Sequence, residues 1–587
     1  MTNKLIRIVC LALVLILCLG GCGETSESGA AEDVGVTIEK DDIDTSENIH
    51  IRDKNLLYEN QDNTEIVTMY LTVSYGNAAE NTNHTWEEIN TYSAYDYEDM
   101  GVDRYQVAGL LQVGDEKGLV AGELGYGQSA PNCTVQIRGQ SSSRNVQKNY
   151  KISIKDNKGD WRGQTTIALN KHQSDGLRFR NKLGFDLLSG IDQLLSLRTT
   201  FVRLYVKDTT AGQDAKFEDY GIYTHVEQLN KTALENHGLD KRGHLYKVNF
   251  CEFYRYEDVI VLKDDPAYNV TAFEQILEIK GDDDHAKLIG VLDRINDYSI
   301  PIESILEENF DTENIAYWMA FQLLVGNVDT QSRNFYLYSP LNSERFYILA
   351  WDLDDMFKKS EYAIRGRLDH AEWEKGVSNY WGSVLFKRCL KSETFRASLD
   401  AAVEDLYVKL LDGRLEEYAR TYSELLKPLI YEGRDALYMP LTKDQYDTVA
   451  AALSDEVRSN YKDYKESYEK PMPFYIGTPT YEDGMISLAW DVSYSFDVEP
   501  ITYTFELATD YSFASPIVKE TELTLPCVKF SPLSAGQYFI RVTARDEKGD
   551  TQVAFDSYIT ENGKIYGTKC IYIDADGSIV EDVYVEE

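Results

Sequence analysis

Asp329, Asn334 and Asp352 have residue types and spacing that suit phosphoryl transfer. Asp329 and Asn334 lie five positions apart in the stretch 326–338, and Asp352 follows the apolar run 346–351. In phosphoryl-transfer sites, a loop aspartate orients the attacking hydroxyl and accepts its proton, while an amide and a later carboxylate hold metal ions. Mg²⁺ prefers such hard oxygen ligands and keeps several waters, so few protein ligands are needed. The spacing predicts Asp329 as base or substrate-orienting residue, and Asn334 and Asp352 as ligands of Mg²⁺ or Mn²⁺.

The spacing between the aspartate and the asparagine is short enough to occur by chance. An Asx turn followed by a helix cap would use the same residue types without any chemistry. Asp354, two positions after Asp352, is also open to two interpretations, because it could assist the metal or be a solvated cap. The elements that would position these residues help to decide.

A predicted helix leads into Asp329, and a predicted strand ends at Asp352. Apolar residues recur at helical spacing over 315–323, with Trp318 as a core residue, so the loop that follows would start from a rigid element. Upstream, β-rich runs broken by turn residues predict strands. These strands are 66–73, 106–113, 133–138, 201–206 and 219–228, and a helix is predicted over 177–188.

A turn between two predicted strands could cover phosphates. It begins at Arg138 and includes Ser141 and Ser142. Its backbone N–H groups and hydroxyls could do the work of a glycine-rich phosphate loop. A polar turn without such a role is the other interpretation.

Two lysines of the next predicted strand are candidates for a phosphate contact. Lys148 shares one face with the apolar residues at 150, 152 and 154, whereas Lys151 lies on the other face. A lysine among apolar residues is costly unless it is paired. Lys148 is therefore the first candidate for contacting the α- and β-phosphates, and Lys151 is the second.

Six sequence blocks resemble the spore coat protein H (CotH) kinase family, and they occur in the same order. They are 138–142, 148–150, 180–183, 326–329, 333–338 and 351–354. The resemblance implies an α+β fold over residues 61–468, an atypical protein-kinase-like domain with a β-rich N-lobe and a helical C-lobe. It also implies ATP as phosphate donor and Ser/Thr hydroxyls of surface or spore-coat-like proteins as acceptors.

The family's Val-Glu-Gln block is present at 226–228. Glu227 could lie where the nucleotide base binds, or it could pair with Lys148. In protein kinases a helix glutamate pairs with the strand lysine. The predicted helix 177–188 contains Asp186 as its one acid, which departs from that pattern.

The charge of the chain constrains its partners. A net charge of −39 opposes binding to nucleic acid or to an anionic membrane surface. ATP is itself an anion, so an ATP site in this protein requires a local basic cluster. The candidates for that cluster are Arg138, Arg144, Lys148, Arg178, Arg180 and Lys182.

The N-terminus has the features of a bacterial lipoprotein leader. Basic residues precede the apolar run 8–19, which is too short to span a bilayer, and 19–22 reads Leu-Gly-Gly-Cys. This resembles a lipobox and predicts cleavage of residues 1–21 and lipidation of Cys22; an ordinary secretory signal is the alternative. Residues 22–60 predict a flexible acidic stalk. The protein is expected on the extracellular face of the membrane, held through its lipid.

A second module is predicted after the boundary at Pro471. Alternating strands over 471–560 predict a β-sandwich, and 533–538 resembles the tyrosine corner of fibronectin type III domains. The tail 561–587, with Asp576 and Gly577 at a turn, predicts a β-hairpin. The sandwich is expected to be a spacer or a surface that contacts glycan or cell wall.

Two other functions are open at this stage. The chain could be a non-catalytic cell-surface protein that binds polysaccharide or a cell-wall partner through a kinase-like fold, as its 42 tyrosines and appended sandwich would allow. Hydrolysis by paired carboxylates is the third possibility. It is less favoured, because Asp329 and Asp352 occur with the asparagine and lysine that phosphate chemistry uses.

Overall fold

The computed structural model describes residues 50–59, 61–212, 214–367, 371–560 and 563–582. Within these ranges the chain is a mixed α/β protein with fourteen α-helices and five β-sheets. The predicted leader, Cys22 and most of the predicted stalk lie outside the described residues. None of the helices in the described ranges is long and apolar enough to cross a bilayer.

The N-terminal part is built on one eight-stranded sheet. Its strands are β1 (Ile66–Ser74), β2 (Val107–Asp115), β3 (Gly118–Leu119), β4 (Cys133–Arg138), β5 (Asn149–Ile154), β6 (Thr166–Asn170), β7 (Thr199–Asp208) and β8 (Phe217–Glu227). They follow the order β1-β7-β8-β6-β5-β4-β2-β3, and β1 also pairs with β2, which closes the sheet on itself. Only the β1–β7 pair is parallel among these described strands. The predicted strands of this region are confirmed.

The core of this sheet follows the period-two pattern of the sequence. On β5, Tyr150, Ile152 and Ile154 are buried in one cluster with apolar residues of the neighbouring strands. The alternate position Lys151 is half-buried on the opposite face. Successive side chains of a strand point to opposite faces, so β5 separates a dry interior from a polar outer face.

The helices form most of the remaining structure. They are α1 (Trp86–Thr91), α2 (Ala94–Met100), α3 (Arg180–Leu188), α4 (Lys231–Asn236), α5 (Val270–Ile276), α6 (Ala286–Asn296), α7 (Ile302–Asn309), α8 (Thr312–Val325), α9 (Lys359–Arg365), α10 (Val384–Lys391), α11 (Glu393–Leu410), α12 (Arg414–Ile430), α13 (Lys443–Ala451) and α14 (Leu453–Ser467). Short 3₁₀ turns lie at Ser141–Arg144, Glu372–Glu374 and Gly376–Tyr380.

Helix α8 is the central element of this part. It is apolar on all sides and contacts α11, α14 and the second sheet, and its Trp318 is fully buried, as predicted. Gly326 ends the helix with a left-handed backbone (φ 66°). Because a glycine adopts this conformation without steric cost, the chain turns sharply there into the loop that carries Asp329.

A four-stranded antiparallel sheet brings Asn334 and Asp352 together. Its strands are β9 (His244–Val248), β10 (Leu277–Ile279), β11 (Phe335–Ser339) and β12 (Tyr347–Ala350), in the order β10-β9-β11-β12. Phe335 pairs with Ala350 in the β11–β12 ladder. The residues just before β11 and just after β12 therefore lie at the same end of the hairpin.

The C-terminal part contains β13 (Thr480–Glu482), β14 (Met485–Ala489), β15 (Thr502–Ala508), β16 (Val518–Leu523), β17 (Cys527–Phe530), β18 (Gly536–Arg545), β19 (Thr551–Val553), β20 (Ser557–Thr560), β21 (Gly563–Tyr566), β22 (Thr568–Ile573) and β23 (Ile579–Glu581). The sheets β13-β14-β17 and β16-β15-β18-β22-β23 share one apolar core. Strand β19 pairs with β18, and β20 pairs with β21. Strands β22 and β23 form a hairpin within the predicted tail, and β22 pairs with β18, so this hairpin extends the larger sheet.

Candidate functional site

One cavity of about 410 Å³ lies where the eight-stranded sheet meets the end of the β11–β12 hairpin. Its lining includes six of the predicted site residues: Arg138, Ser141, Ser142, Asp329, Asp352 and Asp354. A volume of roughly 300–1,000 Å³ is usual for small-molecule sites. The structure therefore brings residues from distant parts of the sequence into one ligand-sized space.

Asp329 and Asn334 are in direct contact on the loop after α8. The amide Nδ2 of Asn334 donates to Oδ2 of Asp329 (2.8 Å) and to its backbone oxygen (3.0 Å). Arg333 Nε lies 3.2 Å from Asp329 Oδ1, and the aspartate side chain is 44% exposed. The carboxylate is thus oriented by two neighbours while it stays open to the cavity. Because Nδ2 is used for Asp329, the carbonyl oxygen of Asn334 is the atom able to bind a cation.

Asn334 and Asp352 both have left-handed backbone conformations. Their φ angles are 62° and 55°. Non-glycine residues adopt this region rarely, although asparagine and aspartate tolerate it better than most. Such strained positions cluster at functional sites, where the surrounding structure holds them. The conformation turns each side chain at the end of a strand, next to the cavity.

Asp352 and Asp354 lie two positions apart in the segment that follows β12, and both line the cavity. Burial and the neighbouring charge of Asp354 raise the pKa of Asp352 above its usual range. Burial acts in the same direction on Asp354, but a hydrogen bond and the charge of His172 outweigh it and lower the pKa of Asp354. When two carboxyl groups lie close together, ionisation of both is unfavourable unless a positive charge is near.

His172 and Asn181 hold this acidic segment. His172 Nδ1 lies 3.0 Å from Asp354 Oδ2, and Asn181 Nδ2 lies 3.3 Å from His172 Nε2. The backbone N–H of Leu353 donates to Asn181 Oδ1 (3.2 Å). Both polar residues line the cavity. They fix where the two carboxylates point.

Arg138 supplies a positive charge beside the acids. Its guanidinium donates to Asn170 Oδ1 and lies 6.0 Å from the centre of the Trp351 ring. Burial lowers the pKa of Arg138, and the negative charge of Asp352 opposes that effect. A partly desolvated guanidinium next to a cavity is well suited to bind a phosphate.

The turn at Ser141–Arg144 closes over the same cavity. Gly139 has a φ of 90°, and a Cβ atom there would lie 2.1 Å from Ser142 Oγ. Asn149 Nδ2 donates to Ser142 Oγ (3.0 Å), which fixes the turn against β5. Ser141 is exposed at the mouth. The turn can therefore present hydroxyls and backbone N–H groups to an anion, as the sequence suggests.

The two candidate lysines lie on different faces of β5. The ammonium of Lys148 donates to the backbone oxygen of Ser143 (2.6 Å), and this residue is outside the described residues that line the cavity. Lys151 shares the outer face of the sheet with Asn149, which does line it. Burial, with the nearby charge of Lys280, lowers the pKa of Lys151. Neither lysine is among the described residues that line the cavity, but Lys151 lies on the face of the sheet that does, so geometry favours the second candidate over the first.

Glu227 is held by partners other than Lys148. It pairs with Arg198 (2.5 Å) and with His237 Nε2 (3.0 Å), and it is 1% exposed. His237 Nδ1 in turn contacts Asp53 (2.6 Å), so the network ties the segment after residue 50 to the eight-stranded sheet. Within the described residues, Glu227 lies outside the cavity lining.

The predicted six-residue basic cluster requires a correction. Arg180 forms buried ion pairs with Asp175 and Glu361, Lys182 pairs with Asp186, Arg178 donates to the backbone oxygens of Lys171 and Tyr438, and Arg144 lies over the ring of Tyr95. Each of these cations interacts with an acid, a carbonyl or an aromatic ring of the protein itself. Of the six, Arg138 lines the cavity among the described residues.

Lys247 of β9 adds a positive charge that the sequence did not suggest. It stands opposite Tyr336 in the β9–β11 ladder. Burial lowers its pKa, while Glu278 and Asp352 oppose that effect, so its ammonium is within electrostatic range of the acidic segment. His172 and Lys247 lie far from 326–355 in sequence, so no spacing could reveal them. Asn181 is also distant, but it belongs to the block 180–183, one of the six that resemble the CotH family.

The acids and amides of the cavity fit a divalent cation. Among the residues that the structure describes, no group of three or more His, Cys, Asp or Glu side chains forms a metal site. Asp352 and Asp354 nevertheless provide two carboxylates to the cavity. Asn334 lies outside the described lining, but it hydrogen-bonds Asp329 and provides an amide oxygen at the same end of the hairpin. Mg²⁺ sites that also bind phosphate need only a few hard oxygen ligands from the protein. The donor set therefore has the right chemistry.

Comparison with known proteins identifies the family. The model of the CotH kinase protein family matches residues 135–464, which is more than half of the chain. The chain belongs to the CotH kinase protein family, and it is a kinase-like protein. Every cavity residue described above falls within the matched range.

Other comparisons add little. A search of curated proteins gives no match. Among solved structures, the chain is similar to the toxin–antitoxin system HipA, HipB and its operator DNA complex of Shewanella oneidensis MR-1, with 12% identity and a TM-score of 0.20. That match covers 51% of this chain and 58% of the other. We draw no conclusion from a likeness with so low a TM-score.

Proposed function

We propose that the protein is an exported, lipid-anchored atypical protein kinase that transfers the γ-phosphoryl group of ATP to Ser or Thr hydroxyls of surface or spore-coat-like proteins. The observation that carries this proposal is the single cavity that Asp329, Asp352 and Asp354 share with Arg138 and Ser142. Acids for metal and proton transfer, and a cation and hydroxyl for phosphate, are the components that phosphoryl transfer requires. Membership of the CotH kinase protein family supports it.

Asp329 is assigned the role closest to the acceptor. Its carboxylate is partly exposed and is oriented by Asn334 and Arg333. An acceptor hydroxyl that donates to it would be aligned for attack, and the carboxylate can take the proton as the oxygen–phosphorus bond forms. Positioning of this kind supplies much of the catalysis in phosphoryl transfer.

The opposite part of the cavity is assigned to the nucleotide phosphates. Arg138 and the Ser141–Arg144 turn would hold phosphate oxygens, with Lys151 as the lysine contact and Lys148 as the less favoured one. Asp352, Asp354 and the amide oxygen of Asn334 would hold Mg²⁺ or Mn²⁺. That cation, when bound, neutralises charge on the phosphates. His172 keeps Asp354 ionised and correctly oriented for it.

The proposed architecture has two lobes. The closed eight-stranded sheet is the N-lobe, the helices with β9–β12 form the C-lobe, and the cavity lies between them. The C-terminal sheets form the proposed fibronectin type III-like sandwich. In support, the hydroxyl of Tyr538 donates to the backbone oxygen of Ser534 (2.9 Å), as in a tyrosine corner. Cys22 is the proposed lipidation site, and the sandwich is a candidate for glycan or cell-wall contact.

Phosphate transfer from γ-labelled ATP tests the proposal. Residues 23–587 and their Asp352→Ala variant are compared with Mg²⁺ and with Mn²⁺, using a serine-rich acceptor protein. The matched control is Asp258→Ala, because Asp258 is an exposed aspartate outside the cavity. We expect incorporation by the parent protein and the control, and loss in Asp352→Ala.

A different result would favour the alternative function. If the parent protein transfers no phosphate and ATP with metal does not protect it from thermal unfolding, the kinase proposal fails. Binding of polysaccharide or cell-wall fragments would then identify a non-catalytic surface protein with a kinase-like fold.

A further inference from the structure

The segment 371–381 connects the catalytic loop with the C-terminal module. It follows the acidic segment in sequence, and six of its residues are almost wholly buried. Trp373, Val377, Ser378, Asn379, Tyr380 and Trp381 are each at most 7% exposed. One side of the segment contacts the loop that carries Asp329, and the other contacts residues after 471. We define the bracing segment as residues 371–381, and the C-terminal module as residues 471–582.

Two hydrogen bonds join the bracing segment to the catalytic loop. Asn379 Nδ2 donates to the backbone oxygen of Val328 (2.9 Å), next to Asp329. Thr330 Oγ1 lies 2.9 Å from the hydroxyl of Tyr380 and donates to the backbone oxygen of Asn327 (3.0 Å). Because a threonine hydroxyl has one proton, Tyr380 is the donor to Thr330. The residues on both sides of Asp329 are therefore held by the bracing segment.

Tyr380 is itself fixed in the core. Its ring packs edge-to-face against Trp318 of α8 and Phe386 of α10, with centroid separations of 6.0 and 5.5 Å. The backbone N–H of Val377 donates to Ser467 Oγ (3.1 Å) at the end of α14. A side chain locked in this way gives its hydroxyl a defined position.

The C-terminal module packs against the two ends of the bracing segment. Trp373 meets Phe555 at 5.2 Å and Tyr566 at 6.0 Å between ring centroids. Trp381 stacks on Tyr494 at 5.2 Å. Aromatic pairs of this kind contribute beyond the area that they bury.

Sulfur and cation contacts strengthen the same interface. Ser378 Oγ lies 3.8 Å from Met472 Sδ, and within the module the backbone N–H of Met472 donates to the backbone oxygen of Tyr494 (2.8 Å). Lys391 of α10 lies 4.9 Å from the centre of the Tyr494 ring. Tyr494, Phe496 and Phe555 also pack against the main apolar core of the helical part. A spacer joined only by a linker would not make these contacts.

We propose that Asn379 and Tyr380 are positioning residues for Asp329, and that the C-terminal module holds them in place through Trp373 and Trp381. The module is then part of the phosphoryl-transfer apparatus and not only a spacer or binding surface. This inference rests on the proposed kinase function for its effect on activity. The mechanical connection between module and loop does not depend on that function.

Hydrogen exchange in the loop measures the connection directly. Phe555→Ala removes one of the module's aromatic contacts with Trp373, and Tyr494→Ala removes one of its contacts with Trp381. We expect amides of 322–334 to exchange roughly fivefold faster in both variants, while amides of β4 and β5 keep their parent rates. The matched control is Tyr511→Ala, because Tyr511 is an exposed module aromatic that packs on Phe539 and Tyr558 instead. Parent exchange rates at 322–334 in both variants would overturn the inference.

Kinetics separates positioning from mere folding. Phe555→Ala and Tyr380→Phe should lower kcat about tenfold with KM for ATP unchanged, since displacement of a catalytic group affects the chemical step. Tyr380→Phe and Thr330→Val should be non-additive, because they remove the same hydrogen bond. Additive effects, or a change in KM alone, would contradict the role of Tyr380. If an alanine variant does not fold, Tyr494→Leu, which removes the ring but keeps apolar volume, and Tyr380→Phe still decide the question.

The two proposals fail in distinguishable ways. If the parent protein transfers no phosphate, the kinase function fails, while the exchange measurement still tests the connection. If phosphate is transferred but the module variants match Tyr511→Ala in both exchange and kcat, the kinase function stands and the bracing role is wrong.

Discussion

His237 should make the stability of the protein depend on pH in a window set by two pKa values. Its ring lies between Asp53 and Glu227, and its side chain is fully buried. Burial alone would lower the pKa of His237. Hydrogen bonds to the two carboxylates outweigh burial and raise the pKa from 6.5 to about 9.

The size and sign of the effect follow from this shift. A rise from 6.5 to about 9 corresponds to a free energy of about 3 kcal/mol in favour of the folded state. Below pH 6.5 the histidine is protonated in both states, so the full stabilisation is present. As pH rises towards 9, the unfolded chain loses the proton first and the stabilisation declines. Above pH 9 it is gone.

Urea unfolding of the parent protein and of His237→Gln at pH 6, 7.5 and 9.5 checks this prediction. The difference in free energy of unfolding should be largest at pH 6, at about 3 kcal/mol, and should fall by most of that value at pH 9.5. Lys171 has a pKa lowered to about 8 by burial, partly offset by Asp435. Its effect on stability has the opposite sign, but it is common to both proteins and cancels. An equal difference at pH 6 and pH 9.5 would refute the reasoning.

Three further predictions concern the cavity. Lys151→Met should raise KM for ATP about tenfold. Lys148→Met should leave KM within about twofold and lower the melting temperature, because the Lys148 ammonium donates a hydrogen bond to Ser143. ATP titrations and melting curves check this, and a larger rise in KM for Lys148→Met than for Lys151→Met would make Lys148 the phosphate contact. His172→Ala should raise the metal concentration for half-maximal activity by about 10- to 100-fold, because Asp354 loses its partner. An unchanged metal titration would exclude a role of His172 in metal binding. Gly139→Ala should cost about 1–2 kcal/mol of stability, since φ is 90° and Cβ would meet Ser142; an unchanged melting temperature would contradict it.

Local pattern predicted the elements well in this chain. The period-two alternation of 149–154 identified which residues of β5 share a face, and the helical spacing before Asp329 predicted α8 with Trp318 in its core. The aspartate-asparagine spacing placed two residues on one loop, where they form a hydrogen bond. These features depend on neighbours in sequence, so the sequence contains them.

Such local patterns do not show which face of a strand is turned towards the cavity. Alternation places Lys148 with the apolar side chains of β5, but it does not say which face of the sheet meets the acids. Closure of the sheet through the β1–β2 pair turns the apolar face inward and leaves Lys151 on the outer side. That pairing joins strands that are separated in sequence by α1 and α2, so the periodicity within either strand does not predict it.

Partners from distant segments were also missed. His172 contacts Asp354 across 182 positions, and Asp435 pairs with Lys171 across a larger separation. Arg180 was a candidate for the basic cluster because of its charge, yet Asp175 and Glu361 neutralise it inside the core. Whether a cation binds a ligand or a buried acid depends on tertiary contacts that a single sequence does not reveal.

The left-handed backbone at Asn334 and Asp352 has a consequence for engineering. Asn334→Gly would lose two hydrogen bonds to Asp329, but Asp352→Gly should raise stability by about 1 kcal/mol, because glycine adopts such φ values without the steric cost that an L side chain incurs. The same change deletes an oxygen ligand from the cavity. A selection for thermal stability alone would therefore favour Asp352→Gly and remove the site, so position 352 should stay fixed in any stabilised variant.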